Sequence, residues 1–216
     1  TGPYRDRAGF ATLAEAMSGF AAINGDPEGG PLLPPIALTD ELAGLAAAFA
    51  TLVAIHGGGG QSVDVNLLET MMQIMGPLMS AWHSEQYLQE RLGSGIAYSV
   101  PRGTYRASDG GWLAVSTSSD SVAARVMDLI GAADDARFAS FDGRIAHREE
   151  LDLLMSNWVA RRTLAEALAE FQNAQAAAAP VMNMQQIAED PHILDRGSLI
   201  ELDGIKMQGL IARLSR

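Results

Sequence analysis

Asp40 is the residue whose type and setting point most directly to chemistry. It follows a segment stiffened by Pro31, Pro34 and Pro35 and precedes the small, apolar run Leu42–Phe49. The first-turn amides of a helix favour negative charge beside them. A carboxylate held there can attack an activated acyl group and form a covalent intermediate. With a thioester the product would be a mixed anhydride. Asp is also a favoured helix cap, so the local pattern leaves both roles open.

Other residues offer weaker signals. Gly57-Gly58-Gly59-Gly60-Gln61 could cradle a phosphate or form a mobile loop. It lacks the Lys-Ser/Thr of a P-loop and no strand precedes it, so a helix-terminating connection is the simpler account. Arg5 and Arg7 flank Asp6, as phosphate partners or as a charged turn in water. His56, His83, His147 and His192 are scattered without metal-ligand spacing, so no metal site is expected. The chain has no cysteine, which excludes disulfides, thiolate nucleophiles and Cys-ligated metals. No G-x-S-x-G elbow supports serine catalysis.

The 216 residues are 48% hydrophobic and 19% charged, the balance of a soluble globular protein. A net charge of −11 argues against nucleic acid or an anionic membrane as partner. The apolar stretch Leu42–Ile55 is shorter than a membrane span requires. No signal peptide is visible, and the expected location is the cytoplasm. The chain opens without Met and ends without a terminating signal, so a piece of a longer protein is expected.

Periodicity then supplies the elements that must position these groups. Phe10, Leu13, Met17 and Phe20 recur at helical spacing, which predicts a helix over Ala11–Ala22. Gly25–Gly30 reads as a loop. A second helix opens at Thr39-Asp40, with Asp40 as N-cap, and its apolar composition predicts burial. Ser62–Asn66 alternates like a short strand, and Leu67–Trp82 reads as one long helix. Met71, Met72, Met75 and Met79 fall on it at helical spacing, as core filler. Residues 92–104 read as loop. Thr104–Ala107 and Trp112–Ser116 flank a turn and predict a hairpin. Helices follow at Ser121–Ile130, His147–Ala160, Thr163–Ala176 and Met184–Glu189, with a turn at Asp190-Pro191. Ser198–Leu202 and Lys206–Leu210 predict a second hairpin around Asp203-Gly204. The fold class is α/β.

Singly these signals are weak, but their order is specific. Gly2-Pro3-Tyr4-Arg5-Asp6-Arg7-Ala8-Gly9-Phe10 is followed by Ala16-Met17-Ser18-Gly19 and then Thr39-Asp40-Glu41-Leu42-Ala43-Gly44. Gly58-Gly59-Gly60-Gln61-Ser62-Val63-Asp64-Val65-Asn66-Leu67-Leu68-Glu69 comes next. Pro101-Arg102-Gly103-Thr104-Tyr105, Asp109-Gly110, Ala179-Pro180-Val181 and Asp190-Pro191-His192 follow in order. The whole series resembles the family III CoA-transferases.

That resemblance implies a family III CoA-transferase fold of the interlocked-homodimer type. Residues 1–99 would form the C-terminal portion of a large Rossmann-like domain. Residues 100–185 would form a small α/β domain, and 186–216 would return to the large one. Most CoA contacts would come from a half of the large domain that precedes Thr1. Asp40 matches the catalytic aspartate, and Arg7, Gly9 and Phe10 lie where the family completes its CoA site. The implied activity moves CoA from an acyl-CoA to a free carboxylic acid through an aspartyl anhydride and an aspartyl-CoA thioester. The implied partners are acyl-CoA, a carboxylic acid and a second copy of the chain, with no metal.

Two departures bear on the activity. The racemase branch carries a His near position 10 and an acid near position 119, where this chain has Phe10 and Ser119, with Asp120 adjacent. Proton transfer at an acyl α-carbon then lacks one of its two groups. This favours transfer over a 2-methylacyl-CoA racemase. A non-catalytic acyl-CoA-binding subunit is the alternative outside enzymes. In addition, the stretch His56–Gln61 is shorter than the family's usual one, which carries a basic segment.

Overall fold

The computed structural model describes residues 2–215. The chain divides into two compact units, with the boundary between Ser99 and Val100.

The first unit is helical. Its elements are α1 (Ala11–Met17), α2 (Phe20–Ile23), α3 (Leu38–Gly57), α4 (Leu67–Ile74) and α5 (Leu78–Glu85). The single helix expected over Ala11–Ala22 is broken because Gly19 takes φ +94°, a left-handed conformation that ends one helix and starts the next. Its buried face is made of small and polar residues. Ala14 and Glu15 are buried, whereas Phe10, Leu13 and Met17 are exposed. Small Ala14 lets α1 approach α3 and α4, and Glu15 is held there by a hydrogen bond from Thr39.

α3 begins at Leu38 and is capped by the backbone of Ala37, with no side-chain cap bond. Asp40 is therefore a first-turn residue rather than the N-cap. The hydroxyl of Thr39 turns inward to Glu15, and this tertiary contact sets the first turn. α3 is also not buried as its composition predicts. Leu45, Phe49, Leu52, Val53 and Ile55 are exposed, because α1 and α4 cover only part of its circumference. At 20 residues it is longer than its apolar core, and by length and composition alone it could cross a membrane. Its packing on α1 and α4, with Asp40 and Glu41 in its first turn, is that of a helix in a folded domain.

Gly58, Gly59 and Gly60 all take positive φ, which only glycine adopts without strain, and they carry the chain off the end of α3. Ser62–Asn66 forms no strand. An alternating segment becomes one only when a neighbour accepts its backbone hydrogen bonds, and none of the described strands lies in this unit. Asn66 instead caps α4, its side chain accepting from the Glu69 amide. The helix expected over Leu67–Trp82 splits at Met75-Gly76-Pro77, where Gly76 has φ +61° and Pro77 cannot donate to the ladder. The loop Gly25–Gly30 is present. Arg91 donates to the carbonyls of Asp26 and Gly29, at 3.2 and 2.9 Å, and holds it closed.

The second unit packs helices on a small antiparallel sheet. β1 (Arg102–Arg106) pairs with β2 (Trp112–Ser116) as the expected hairpin, starting two residues early at Arg102. Helices α6 (Asp120–Leu129), α7 (Phe141–Ala146), α8 (Arg148–Ala160) and α9 (Leu164–Asn173) follow. β3 (Ala178–Pro180) then adds antiparallel to β2. α10 (Met184–Glu189), α11 (Pro191–Asp195) and the hairpin of β4 (Leu199–Leu202) and β5 (Ile205–Gln208) complete the chain. The turn expected at Asp190-Pro191 is a helix start: Asp190 caps α11 and Pro191 occupies its first turn.

Strand alternation turns Leu113 and Val115 inward with Tyr105, onto Val126, Phe138, Leu151, Met155, Val159 and Phe171. Trp158 and Phe171 meet edge to face at 5.7 Å. Side chains start most of the helices here, α8 excepted: Ser119 caps α6, Ser140 caps α7, and Thr163 with Glu166 forms a capping box on α9. The cap bonds from Thr163 hold the Glu166 carboxyl below its ordinary range.

Candidate active site

Asp40 stands exposed in the first turn of α3, next to fully buried Thr39. Thr39 Oγ1 donates to Glu15 Oε1 at 2.9 Å, across 24 positions of sequence. Glu15 is buried on α1. The nucleophile candidate thus sits on a helix start that a buried hydrogen bond ties to the neighbouring helix. First-turn amides and the helix dipole favour its negative charge.

Arg7, Gly9 and Phe10 form one contiguous exposed segment leading into α1. The Phe10 carbonyl accepts from the Leu13 amide, so this segment ends as the cap of α1. A side chain added at Gly9 would meet open space, so backbone there is open to a ligand. The Arg7 guanidinium lies 3.7 Å from the centre of the Tyr4 ring. Such a contact uses the cation's charge and leaves its N–H donors to other partners. Arg5 pairs with Asp6 at 3.4 Å, both exposed. The candidate cofactor residues therefore lead into α1 and the candidate nucleophile is carried by α3, the two helices that Glu15 and Thr39 join.

Two grooves open in this unit. One of about 400 Å³ opens between α3 and α4 beside Leu42, Ala46, Asn66 and Thr70. The other, about 300 Å³, is lined by Met72, Met75, Met79, Trp82 and Leu88. Of the methionines expected as core filler, Met71 is fully buried, whereas Met72 and Met79 are exposed and line this second groove.

In the second unit, Asp120 does not stand as an isolated acid. Its carboxylate accepts from Arg144 Nη2 at 2.6 Å, and Arg144 also donates to the carbonyls of Val100 and Phe138. Ser119 is the helix cap. Among the described residues no cluster of His, Cys, Asp and Glu is placed to hold a metal ion.

The sequence does not single out Glu15, and it gives Thr39 no role beyond opening the helix. The available signal was a carboxylate next to small Ala14 and Ala16 in an otherwise apolar helical stretch. A charge in that setting calls for a hydrogen-bond partner if it is buried.

The pattern of CoA-transferase family III matches residues 1–216. The chain belongs to CoA-transferase family III. Succinyl-CoA–D-citramalate CoA-transferase of Chloroflexus aurantiacus is 33% identical over 227 aligned residues, covering 100% of this chain and 56% of that protein. The beta subunit of succinyl-CoA–L-malate CoA-transferase from the same organism is 31% identical over 212 residues, covering 94% of this chain and 52% of that subunit. A CAIB/BAIF family protein from Brucella suis superposes with a TM-score of 0.80 at 25% identity, over 100% of this chain and 58% of that one. The family III chain described here spans about half the length of the curated relatives it matches. Its mixed helix and sheet architecture is that of the family fold.

Proposed function

We propose that this chain carries the nucleophile of a CoA-transferase that moves CoA from an acyl-CoA to a free carboxylic acid. The observation behind the reading is Asp40: an exposed first-turn carboxylate, at the family's aspartate position, on a helix start anchored by a buried hydrogen bond. The Asp40 carboxylate attacks the donor thioester carbonyl, the C–S bond breaks, and CoA leaves as thiolate. The thiolate then attacks the aspartyl carbonyl of the anhydride. This releases the donor acid as its carboxylate and leaves an aspartyl-CoA thioester. The acceptor carboxylate attacks that thioester, forming a second anhydride and freeing the thiolate again. Thiolate attack on the acceptor carbonyl gives the new acyl-CoA and restores the Asp40 carboxylate. No net proton is consumed.

Arg7 and the open backbone at Gly9 and Phe10 are assigned to the CoA side of the site. In this reading the rest of the cofactor contacts and the interlocked homodimer follow from family resemblance, and the cysteine-free composition suits a reducing cytoplasm. Both curated relatives are named for succinyl-CoA, which makes it the first donor to test. Transfer is preferred over racemisation because Phe10 offers no proton at the His position and the Asp120 carboxylate is engaged by Arg144.

The test is transfer activity of Asp40→Ala in the intact protein. Loss of transfer with retained folding is expected. Full activity in a folded Asp40→Ala protein contradicts the reading. α-Carbon deuterium exchange without any acceptor acid would replace it with the racemase.

A further inference from the structure

We infer that Glu15 is a positioning residue for Asp40, acting through Thr39. The inference rests on the reading of Asp40 as nucleophile. Glu15 and Thr39 are 4% and 0% exposed, although Leu13 and Met17 on the same helix α1 remain exposed. Burying a carboxylate is unfavourable unless its oxygens are hydrogen-bonded. The fold nonetheless holds this polar pair inside and leaves neighbouring apolar side chains out. That choice defines geometry better than apolar packing would, because a hydrogen bond has direction.

The geometry leads straight to Asp40. Ala37 provides no side-chain cap for α3, and helix ends without such support fray. Thr39 is β-branched, so its χ1 is stiff. Fixing its hydroxyl on Glu15 at 2.9 Å therefore fixes its backbone in the first turn. The Asp40 side chain departs from the adjacent Cα. Attack on a thioester needs the carboxylate aligned with the carbonyl, and displacements of about an ångström cost catalysis heavily.

The experiment uses the intact protein with succinyl-CoA as first probe, or the acyl-CoA it turns over fastest. It measures kcat, KM for acyl-CoA, and the amount of acyl adduct trapped on Asp40. Thr39→Val removes the donor and is expected to lower kcat about tenfold with KM within about twofold. Glu15→Met removes the acceptor and gives the same split. Thr39→Ser and Glu15→Gln keep the donor and the acceptor oxygen and are expected to stay within about twofold of the wild type. Unchanged kcat in a folded Thr39→Val protein overturns the inference. So does an equal loss in Thr39→Ser, or a loss expressed in KM instead of kcat. If calorimetry shows that Thr39→Val and Glu15→Met both fail to fold, the pair serves stability alone and the inference also falls. A wild-type protein that turns over without any adduct on Asp40 overturns the nucleophile reading instead, so the two failures are distinguishable.

Discussion

Thr39 and Asp40 are consecutive residues of α3, yet Thr39 is fully buried with its hydroxyl on Glu15, while Asp40 is exposed. One residue anchors the turn and the next presents a carboxylate from it. The division of labour implies that Asp40 can be changed at little structural cost. Asp40→Asn should alter stability by no more than about 1 kcal/mol, the size of a charge–dipole interaction at a helix start. It should lower transfer by about a thousandfold or more, as for other lost nucleophiles. Calorimetry and a transfer assay on the same preparation check both halves.

Arg144 should be a stability residue. Its guanidinium is buried and donates to the carbonyls of Val100 and Phe138 as well as to Asp120. Arg144→Met strips those carbonyls of a partner and should cost about 3 kcal/mol. Asp120→Asn keeps an acceptor oxygen at a side chain that is 80% exposed, so its cost should stay within about 1 kcal/mol. Urea unfolding of the two variants should separate them clearly. If Asp120→Asn were the costlier change, the carbonyl contacts would not be what Arg144 supplies.

A pH prediction follows from buried Tyr105 and half-buried Asp152, joined by a 2.8 Å hydrogen bond from the phenol. Burial, and then the Asp152 charge, push the Tyr105 hydroxyl well above its ordinary value of 10.0. Above that value the unfolded chain releases a proton that the folded chain keeps, so stability falls as pH rises. Asp152 is also raised, by burial first, while the bond from Tyr105 pulls it down. Its contribution is therefore greatest in acid and declines as pH rises through its folded value. Tyr105→Phe should flatten the alkaline decline. It should also enlarge the acid-side decline, because Asp152 loses the bond that lowers it. Chemical denaturation from pH 4 to 11 reads both slopes, and an unchanged alkaline slope would contradict the assignment.

Gly143 should tolerate no side chain. A Cβ there would collide with the Arg137 carbonyl oxygen and press on Ser140 Oγ, whose hydroxyl caps the same helix. Gly143→Ala should cost about 1–3 kcal/mol by forced displacement, despite Ala being the better helix former. A melting temperature equal to or above that of the wild type would refute this.

The second unit was the more legible in the sequence, for physical reasons. Its signals are local: the turn at Ser108–Gly111 fixes the β1–β2 hairpin, and Thr163 with Glu166 announces α9. Even there, α7 escaped notice because Phe141–Ala146 is too short for periodicity to show. In the first unit, tertiary contacts overrode local patterns. Apolar spacing marks the row of Leu13 and Met17, whereas α1 buries Ala14 and Glu15. Asp40 looked like a helix cap, but the Thr39–Glu15 contact settled where the turn begins. Gly76 and Pro77 were present in the sequence as a break in the Met-rich helix, and the long run of apolar residues masked them. Asp40 and the Arg7–Phe10 segment were singled out by motif order. No periodicity argument reaches a bond between residues 24 positions apart.

The central claim is that Asp40 carries the acyl group, and the most direct measurement is chemical trapping. The intact protein is incubated with succinyl-CoA and other candidate thioesters, quenched with hydroxylamine or borohydride, and mapped by peptide mass spectrometry. The account predicts modification confined to the peptide containing Asp40 and absent from Asp40→Ala. A protein that binds CoA and turns over, yet yields no adduct at Asp40 with any donor, would contradict it.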